Sequence, residues 1–390
     1  MKKKVGLVTY YKENYGSVLQ CYATKYFLSS LGLECDVIYR MYKTRMISAE
    51  RMTNIFRHAM RAIWYKGYLE QYVSMHKAMN EEKSYLIDDA KKKLDEFISA
   101  WICPKGYTWK QLCQIGKDSE YVAFVAGSDQ IWNASINIDP VFFLKFTKKE
   151  KRIAFAPSFG VSEIPTFNKR DVQNGINGFN RIAVREETGE QILSKLSSVP
   201  YVRIADPVVM LTKSEWNSFS ESAHHIDEPY IFAHFLNRPS DTAICAINML
   251  SSTYNLRVIL FSYDYSEFTK IKKGEKISGG PIDYVGLINN AEYICTDSFH
   301  TTMLSIILNK KFYTFQRQYL HSSTQSSRII DLVKRYGLEQ YYISGNLTKM
   351  PEWKVISWNK INDRLANERN LTRDYLETEI AIRKNESLCI

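Results

Sequence analysis

The chain reads as an α/β protein made of two doubly wound, Rossmann-like domains, and three observations lead there. Short apolar runs alternate with apolar residues at helical spacing from Val5 onward, the pattern of buried parallel strands and their crossover helices. The alternation is broken after the second strand by a basic helical stretch, and it restarts beyond a polar segment at residues 206–228. A length of 390 residues exceeds what one hydrophobic core organises, so more than one domain is expected.

Val5-Gly6-Leu7-Val8-Thr9 predicts the first strand. Val18, Leu19, Tyr22, Ala23, Tyr26 and Phe27 recur at helical spacing behind it, Gly32 ends that helix, and Cys35-Asp36-Val37-Ile38-Tyr39 is the second strand. In the intervening loop, Glu13-Asn14-Tyr15-Gly16-Ser17, Ser17 and Gln20 have capping-box spacing. A loop at a strand's carboxyl end is also where such folds bind ligands, but without GxGxxG or a Walker A pattern it is not assigned to a nucleotide.

Residues 41–118 form the helical insertion. Met52, Ile55, Phe56, Met60, Ile63 and Trp64 make one apolar stripe, with Arg51, Arg57, His58 and Arg61 elsewhere on the wheel. Arg40, Lys43, Arg45 and Lys66 extend the positive charge, and Glu50 is the only acid between Arg40 and Lys66. Such a helix either lies on an anionic membrane surface or docks its stripe on the protein and leaves a solvated basic face.

Tyr121–Ala126 is a buried strand that brings Gly127-Ser128-Asp129-Gln130 to the sheet's carboxyl edge. There Asp129 would take a proton, hold a hydroxyl, or cap a turn; Trp132 would stack on a sugar or fill a core. Arg152–Ala156 and Arg181–Val184 are further strands. The second ends at Arg185, an anion fork or a partner for Glu186 or Glu187, before a helix from Thr188. Tyr201–Ile204 and Asp206-Pro207 close a first domain at residues 1–210.

The second domain, 211–345, begins with a linker-like stretch through Ser214, Ser218, Ser220, Glu221, His224, His225 and Pro229. The paired histidines lack a second ligand pair, so no metal is assigned. Strands follow at Tyr230–Leu236, Leu256–Phe261, Tyr293–Thr296 and Phe312–Phe315, with helices at Ala243–Leu250, Tyr284–Asn290 and Ile329–Tyr336. Where the strand at Thr296 gives way to a helix, the first turn offers unpaired N–H groups and positive partial charge. Ser298, His300, Thr301 and Thr302 would surround an anion there; the plainer expectation is an N-cap at Asp297 or Ser298 with His300 packed or solvated. A Ser-rich loop with Arg317, His321 and Arg328 follows, of which Arg317 and Arg328 would close over the anion. Trp358, Ile361, Leu365, Leu371 and Tyr375 mark a terminal helical segment, 346–390, that packs back across both domains.

A formal charge of +10 and a pI near 9.0 suit phosphorylated metabolites, acidic lipid headgroups or nucleic acid. The absence of zinc-finger spacing, an RNP-like strand and an Arg-rich arm argues against nucleic acid. Seven scattered cysteines without a CxxC read as buried thiols in a reducing compartment. The stretch after Met1-Lys2-Lys3-Lys4 is a strand, not a signal peptide, and no run approaches the ~20 apolar residues of a spanning helix. A cytoplasmic protein is expected, with peripheral contact at the inner membrane face.

Five motifs add a resemblance. Asn14-Tyr15-Gly16-Ser17-Val18-Leu19-Gln20, Gly127-Ser128-Asp129-Gln130-Ile131-Trp132-Asn133, Ala183-Val184-Arg185-Glu186-Glu187, Asp206-Pro207 and Thr296-Asp297-Ser298-Phe299-His300 resemble the polysaccharide pyruvyl transferase family, in its order, over roughly residues 5–335. The resemblance implies a GT-B-like arrangement of two domains facing a cleft. It implies a transferase of cell-envelope or exopolysaccharide biosynthesis, carrying a pyruvyl group from phosphoenolpyruvate, as a ketal, to a surface polysaccharide or its lipid-linked oligosaccharide precursor. His300 and Asp129 would be catalytic. Arg185, Ser298, Thr301, Thr302, Arg317 and Arg328 would bind the donor, and Asn14, Tyr15, Gly16, Ser128 and Trp132 the acceptor, with neither metal nor cofactor. Two positions depart from the family: its ketal-forming members often carry Arg-Leu-His where this chain has Ser298-Phe299-His300, and Thr301 replaces the usual glycine. The competing expectations are a GT-B glycosyltransferase using a nucleotide sugar and a non-catalytic scaffold of a glycan-assembly complex. The motifs specify neither the acceptor sugar nor an oligomeric state.

Overall fold

The computed structural model describes residues 3–12, 14–42, 49–74, 77, 85–135, 138–317, 326–347, 349, 352–354 and 356–386. Expectations resting on Glu13, Lys43, Arg45, His321 and Cys389, and on the side chains of Glu50 and Arg51, lie outside the described residues.

The first half runs β1 (Lys4–Val8), α1 (Tyr15–Ser30), β2 (Glu34–Arg40), α2 (Ala49–Trp64), α3 (Asp88–Phe97), β3 (Lys105–Tyr107), α4 (Trp109–Ile115), β4 (Tyr121–Ala126), β5 (Arg152–Phe155), α5 (Thr166–Ile176), β6 (Ile182–Val184), α6 (Glu187–Leu196) and β7 (Tyr201–Arg203). Its strands form one parallel sheet in the order β3-β2-β1-β4-β5-β6-β7. Parallel sheets carry helices on both faces, so their central strands read as unbroken apolar runs; β4, Tyr-Val-Ala-Phe-Val-Ala, is buried at every position.

The second half runs α7 (Lys213–Phe219), β8 (Tyr230–His234), α8 (Asp241–Tyr254), β9 (Arg257–Phe261), β10 (Gly274–Ile277), α9 (Pro281–Asn290), β11 (Tyr293–Thr296), α10 (Phe299–Ile307), β12 (Lys311–Phe315), α11 (Ser326–Tyr336), β13 (Tyr342–Ile343) and α12 (Trp358–Glu386). It forms a second parallel sheet, β10-β9-β8-β11-β12-β13. In each sheet the strand order reverses at one place, between β1 and β4 and between β8 and β11, and such switch points open crevices at the carboxyl edge.

Several local expectations are corrected. The insertion is not wholly helical, because β3 pairs with the end of β2; three residues, Lys-Gly-Tyr, are too few to show strand periodicity. Edge strand β10 reads Gly-Glu-Lys-Ile, polar because it lies at the rim of the sheet. Residues 206–228 are no loose linker. Val208, Val209 and Met210 are buried in a 3-10 turn, and α7 opens with a Thr212–Glu215 capping box and buries Trp216, whose indole N–H reaches the Val208 carbonyl at 3.0 Å. Ser17 does not cap α1; Asn14 does, accepting from the Ser17 N–H.

Helix α12 returns to the first half. Tyr375 donates to the Ala154 carbonyl at 2.9 Å and Arg369 to the Val209 carbonyl at 2.8 Å, while its Leu371, expected in the packed stripe, is exposed. The stripe of α2 is exposed as well: of the two placements, docking on the core is not the one adopted. Among the described residues no helix is long and apolar enough to cross a membrane, and the cysteines are free thiols.

The halves are clasped by Tyr15. Its hydroxyl donates to the Gly279 carbonyl at 2.6 Å, lies 2.8 Å from the Ser262 hydroxyl, and its ring stacks on Tyr284 at 4.8 Å. Tyr15→Phe strands the buried Gly279 carbonyl and is expected to lower unfolding free energy by about 1–3 kcal/mol, read from the denaturant midpoint at unchanged slope.

Candidate active site

Both switch points contribute to one buried cluster of ionisable groups. From the first sheet, the turn after β4 carries Asp129, held at φ 66. The left-handed region is uncommon for a non-glycine residue, though Asp tolerates it better than most. This conformation sets the carboxylate against α1, where it accepts from the Ser17 hydroxyl at 2.5 Å and from the Gln130 N–H at 2.9 Å.

Arg185, at the end of β6, donates through Nη1 to Asp206 Oδ2 at 2.5 Å and through Nε to Glu186 at 3.3 Å; its Nη2 lies 3.7 Å from Asp129. Ser128 donates to the same Asp206 oxygen at 3.0 Å. Glu186 is fixed in turn by the Ser158 hydroxyl at 2.6 Å and the Phe159 N–H at 3.1 Å. Burial pushes the carboxyls of Asp129 and Asp206 upward, yet the cations win: Arg185 and His300 hold Asp129 below the usual range, and His300 with Arg185 holds Asp206 well below it.

From the second sheet comes the turn between β11 and α10. Ser298 is the cap, accepting from the Thr301 N–H. Asp297 accepts from the Leu236 and Asn237 N–H groups at 2.7 and 3.1 Å, which ties the loop after β8 to that after β11, and Arg317 donates to its carbonyl at 2.9 Å. His300, 6% exposed, points across to the first half: Nε2 lies 3.7 Å from Asp206 Oδ2, beyond hydrogen-bond length, and has no hydrogen-bond partner among the described residues. Gly16 is required at this contact, because a Cβ there would stand 2.2 Å from His300 Nδ1.

Arg328, in the first turn of α11, is the odd cation. It is buried, its guanidinium lies 5.9 Å from the Phe299 ring centroid, and it makes no ion pair or hydrogen bond among the described residues. Burial and the nearby Arg185 guanidinium bring it down to about 10.

The structure therefore gathers His300, Asp129, Arg185 and Arg328 around one point, with Arg317 on the adjoining turn. It does not place the other expected residues at an open surface. Trp132 is 1% exposed and stacked on Phe143 at 5.2 Å, a core residue and not a sugar platform. Tyr15 and Ser128 are spent on the bonds above. The Thr301 hydroxyl pairs with His234 Nδ1 at 3.0 Å and Tyr284 at 2.7 Å, and Thr302 donates to the Ser298 carbonyl at 2.9 Å; both satisfy the second half's own core. Arg185 is caged by carboxylates and is no open fork. Sequence reasoning gave Ser17 only a capping role and Asp206 none, although both lie within the quoted motifs; the pairing it offered between Arg185 and Glu186 is present. His234, buried with Nε2 unpartnered among the described residues, carried no signal beyond its place at a strand end. His224 and His225 are exposed, and among the described residues no group of three His, Cys, Asp or Glu is placed to hold a metal.

Two parallel α/β domains meeting at their switch points, with ionisable groups gathered between them, form a GT-B-like architecture. The chain belongs to the polysaccharide pyruvyl transferase family, a transferase family whose model matches residues 14–319. Solved structures to which it is similar include a glycosyltransferase from Rickettsia africae (13% identity, 98% of this chain and 99% of that chain covered, TM-score 0.49). A UDP-GlcNAc 2-epimerase from Neisseria meningitidis bound to UDP-GlcNAc is another (10%, 97% and 100%, 0.48), as is Arabidopsis thaliana UGT89C1 complexed with quercetin (11%, 98% and 94%, 0.45). No curated protein matches the sequence.

Two measurements test this geometry. Gly16→Ala forces the imidazole or the start of α1 to move and is expected to lower unfolding free energy by about 1–3 kcal/mol, read from the denaturant midpoint. His234 is lowered to about 3 by burial and the Arg317 charge, so the unfolded chain binds a proton at pH ~6.5 that the folded chain refuses. Its contribution is complete above that pH and lost as pH falls toward the folded value, at up to about 1.4 kcal/mol per pH unit. Unfolding titrations between neutral and mildly acid pH are expected to slope less steeply in His234→Gln than in the wild type.

Proposed function

We propose that this protein transfers a pyruvyl group from phosphoenolpyruvate to two hydroxyls of a glycan, forming a ketal and releasing phosphate. The acceptor is a surface polysaccharide or its lipid-linked precursor. The observation that carries this reading is Arg328: a buried guanidinium that makes no ion pair among the described residues is costly unless an anion arrives to complete it. Membership of a transferase family supports this reading. The arginine that the family's ketal-forming members often carry at position 298 is absent, and Arg328 brings a guanidinium from α11 to the same turn, against Phe299.

In this reading Arg328 and Arg317 hold the donor's carboxylate and phosphate, and Arg185 positions Asp129 and Asp206. His300 gives its proton to the enol CH₂ carbon, which leaves an oxocarbenium-like centre at the neighbouring carbon. A glycan hydroxyl adds there, the C–O bond to phosphate breaks, and the second hydroxyl closes the ketal. Of the two hydroxyl protons, one replaces that lost by His300 and the other leaves with phosphate. Asp129, held ionised by Arg185 and His300, is a weak base and serves to orient the hydroxyl.

Calorimetry is expected to show phosphoenolpyruvate binding to the wild type and no comparable binding of UDP or GDP; the opposite pattern would replace this reading with a nucleotide-sugar glycosyltransferase. Arg328→Met is expected to raise the melting temperature of the free protein, because it removes a buried charge that has no ion pair among the described residues, and to weaken donor binding by roughly a hundredfold. His300→Ala should keep donor binding and lose turnover. Because the imidazole is buried, a stability loss of about 1–3 kcal/mol is expected with it.

A further inference from the structure

Amphipathic helices of globular domains ordinarily turn their apolar stripe to the core. Helix α2 does the reverse. Ile63, Trp64 and Phe56 are 78, 73 and 67% exposed, and Met52 and Ile55 are exposed beside them. Arg61, on the opposite face, is the buried residue: it pairs with Asp171 of α5 at 3.0 Å and lies over the Phe167 ring. Tyr68 beyond the helix is buried against the same ring at 4.9 Å. The helix is thus anchored by a charge, and its stripe faces solvent alongside a groove of about 370 Å³ between Phe56, Arg57, Met60 and Trp64. The helical residues 68–74 continue the apolar surface with exposed Leu69 and Val73.

We infer that this face is a docking surface for an anionic lipid bilayer, on which α2 lies flat with its stripe at the boundary of headgroups and acyl chains. Charge complementarity selects that occupant. Arg57 and Lys66 are exposed at the margin of the stripe, and from Arg40 to Lys66 the sequence has a single acid, Glu50. Apolar side chains flanked by cations match lipid phosphates. A second copy of this chain would present the same positive charge to itself. The surface stands apart from the ionisable cluster, so its test requires no turnover.

The full-length protein is sedimented with vesicles of phosphatidylcholine alone and of phosphatidylcholine with phosphatidylglycerol. Binding is expected to the mixed vesicles, weakening as salt is added, and only slightly to the neutral ones. Ile63→Ser with Trp64→Ser is expected to lower the partition coefficient at least about tenfold at unchanged melting temperature, because both side chains are exposed. Arg57→Glu with Lys66→Glu should remove the preference for mixed vesicles. Three outcomes overturn the inference: no binding of the wild type to mixed vesicles, equal binding of the Ile63/Trp64 variant, or self-association of the wild type that this variant abolishes without any vesicle binding.

Discussion

The contact on which the rest depends is the buried set of charges around Arg185. Asp206, Glu186 and Asp129 surround its guanidinium, with side-chain exposures near zero for Arg185 and Asp206, and His300 of the other half faces the same Asp206 oxygen. Charges taken out of water are tolerated only when neutralised at close range with their remaining donors and acceptors satisfied. Serines 17, 128 and 158 and the backbone N–H groups of Gln130 and Phe159 satisfy the carboxylates here, while Arg185 Nη2 has no hydrogen-bond partner among the described residues. The network cannot close unless β4, β6, the turn after β7 and α10 keep their relative positions, so it fixes the register of the two halves as well as their contact.

Other features of that contact follow from the same demand. Residue 16 has no side chain because the imidazole occupies the space where its Cβ would be. Asp129 adopts a left-handed backbone so that its carboxylate reaches both Ser17 and Arg185. Tyr15, one residue from the crowded glycine, spans the halves and hydrogen-bonds to the turn before α9. Arg328 differs from Arg185: it is a cation that the fold buries without an ion pair among the described residues. Unmet electrostatic demand of this kind concentrates at ligand sites, where stability is given up for binding. His300 faces a carboxylate across the two halves.

The two halves of the molecule and helix α2 obey opposite rules. The sheets hide apolar surface on both faces and restrict charge to their carboxyl edges. Helix α2 hides a charge and displays its apolar stripe, an arrangement that water alone does not favour.

Sequence by itself determined the element types and their order. Parallel strands buried on both faces are continuous apolar runs, helices repeat near 3.6 residues, and both periods are local properties. It also put His300 and Asp129, which follow the carboxyl ends of strands, and Arg328, from the loop before a helix, among the expected site residues. It was silent on short or edge elements: β3, β10 and α7 bury too few side chains to leave a period. Only the tertiary structure decided that Trp132 is core, that Tyr15 and Ser128 are spent on internal bonds, that Arg185 is caged while Arg328 is not, and that the α2 stripe faces outward. The physical reason is common to all four: a side chain's burial and partners are set by residues distant in the chain, Tyr15 by Gly279, Arg185 by Asp206 and Arg61 by Asp171, and no periodicity within one segment encodes a contact made between segments.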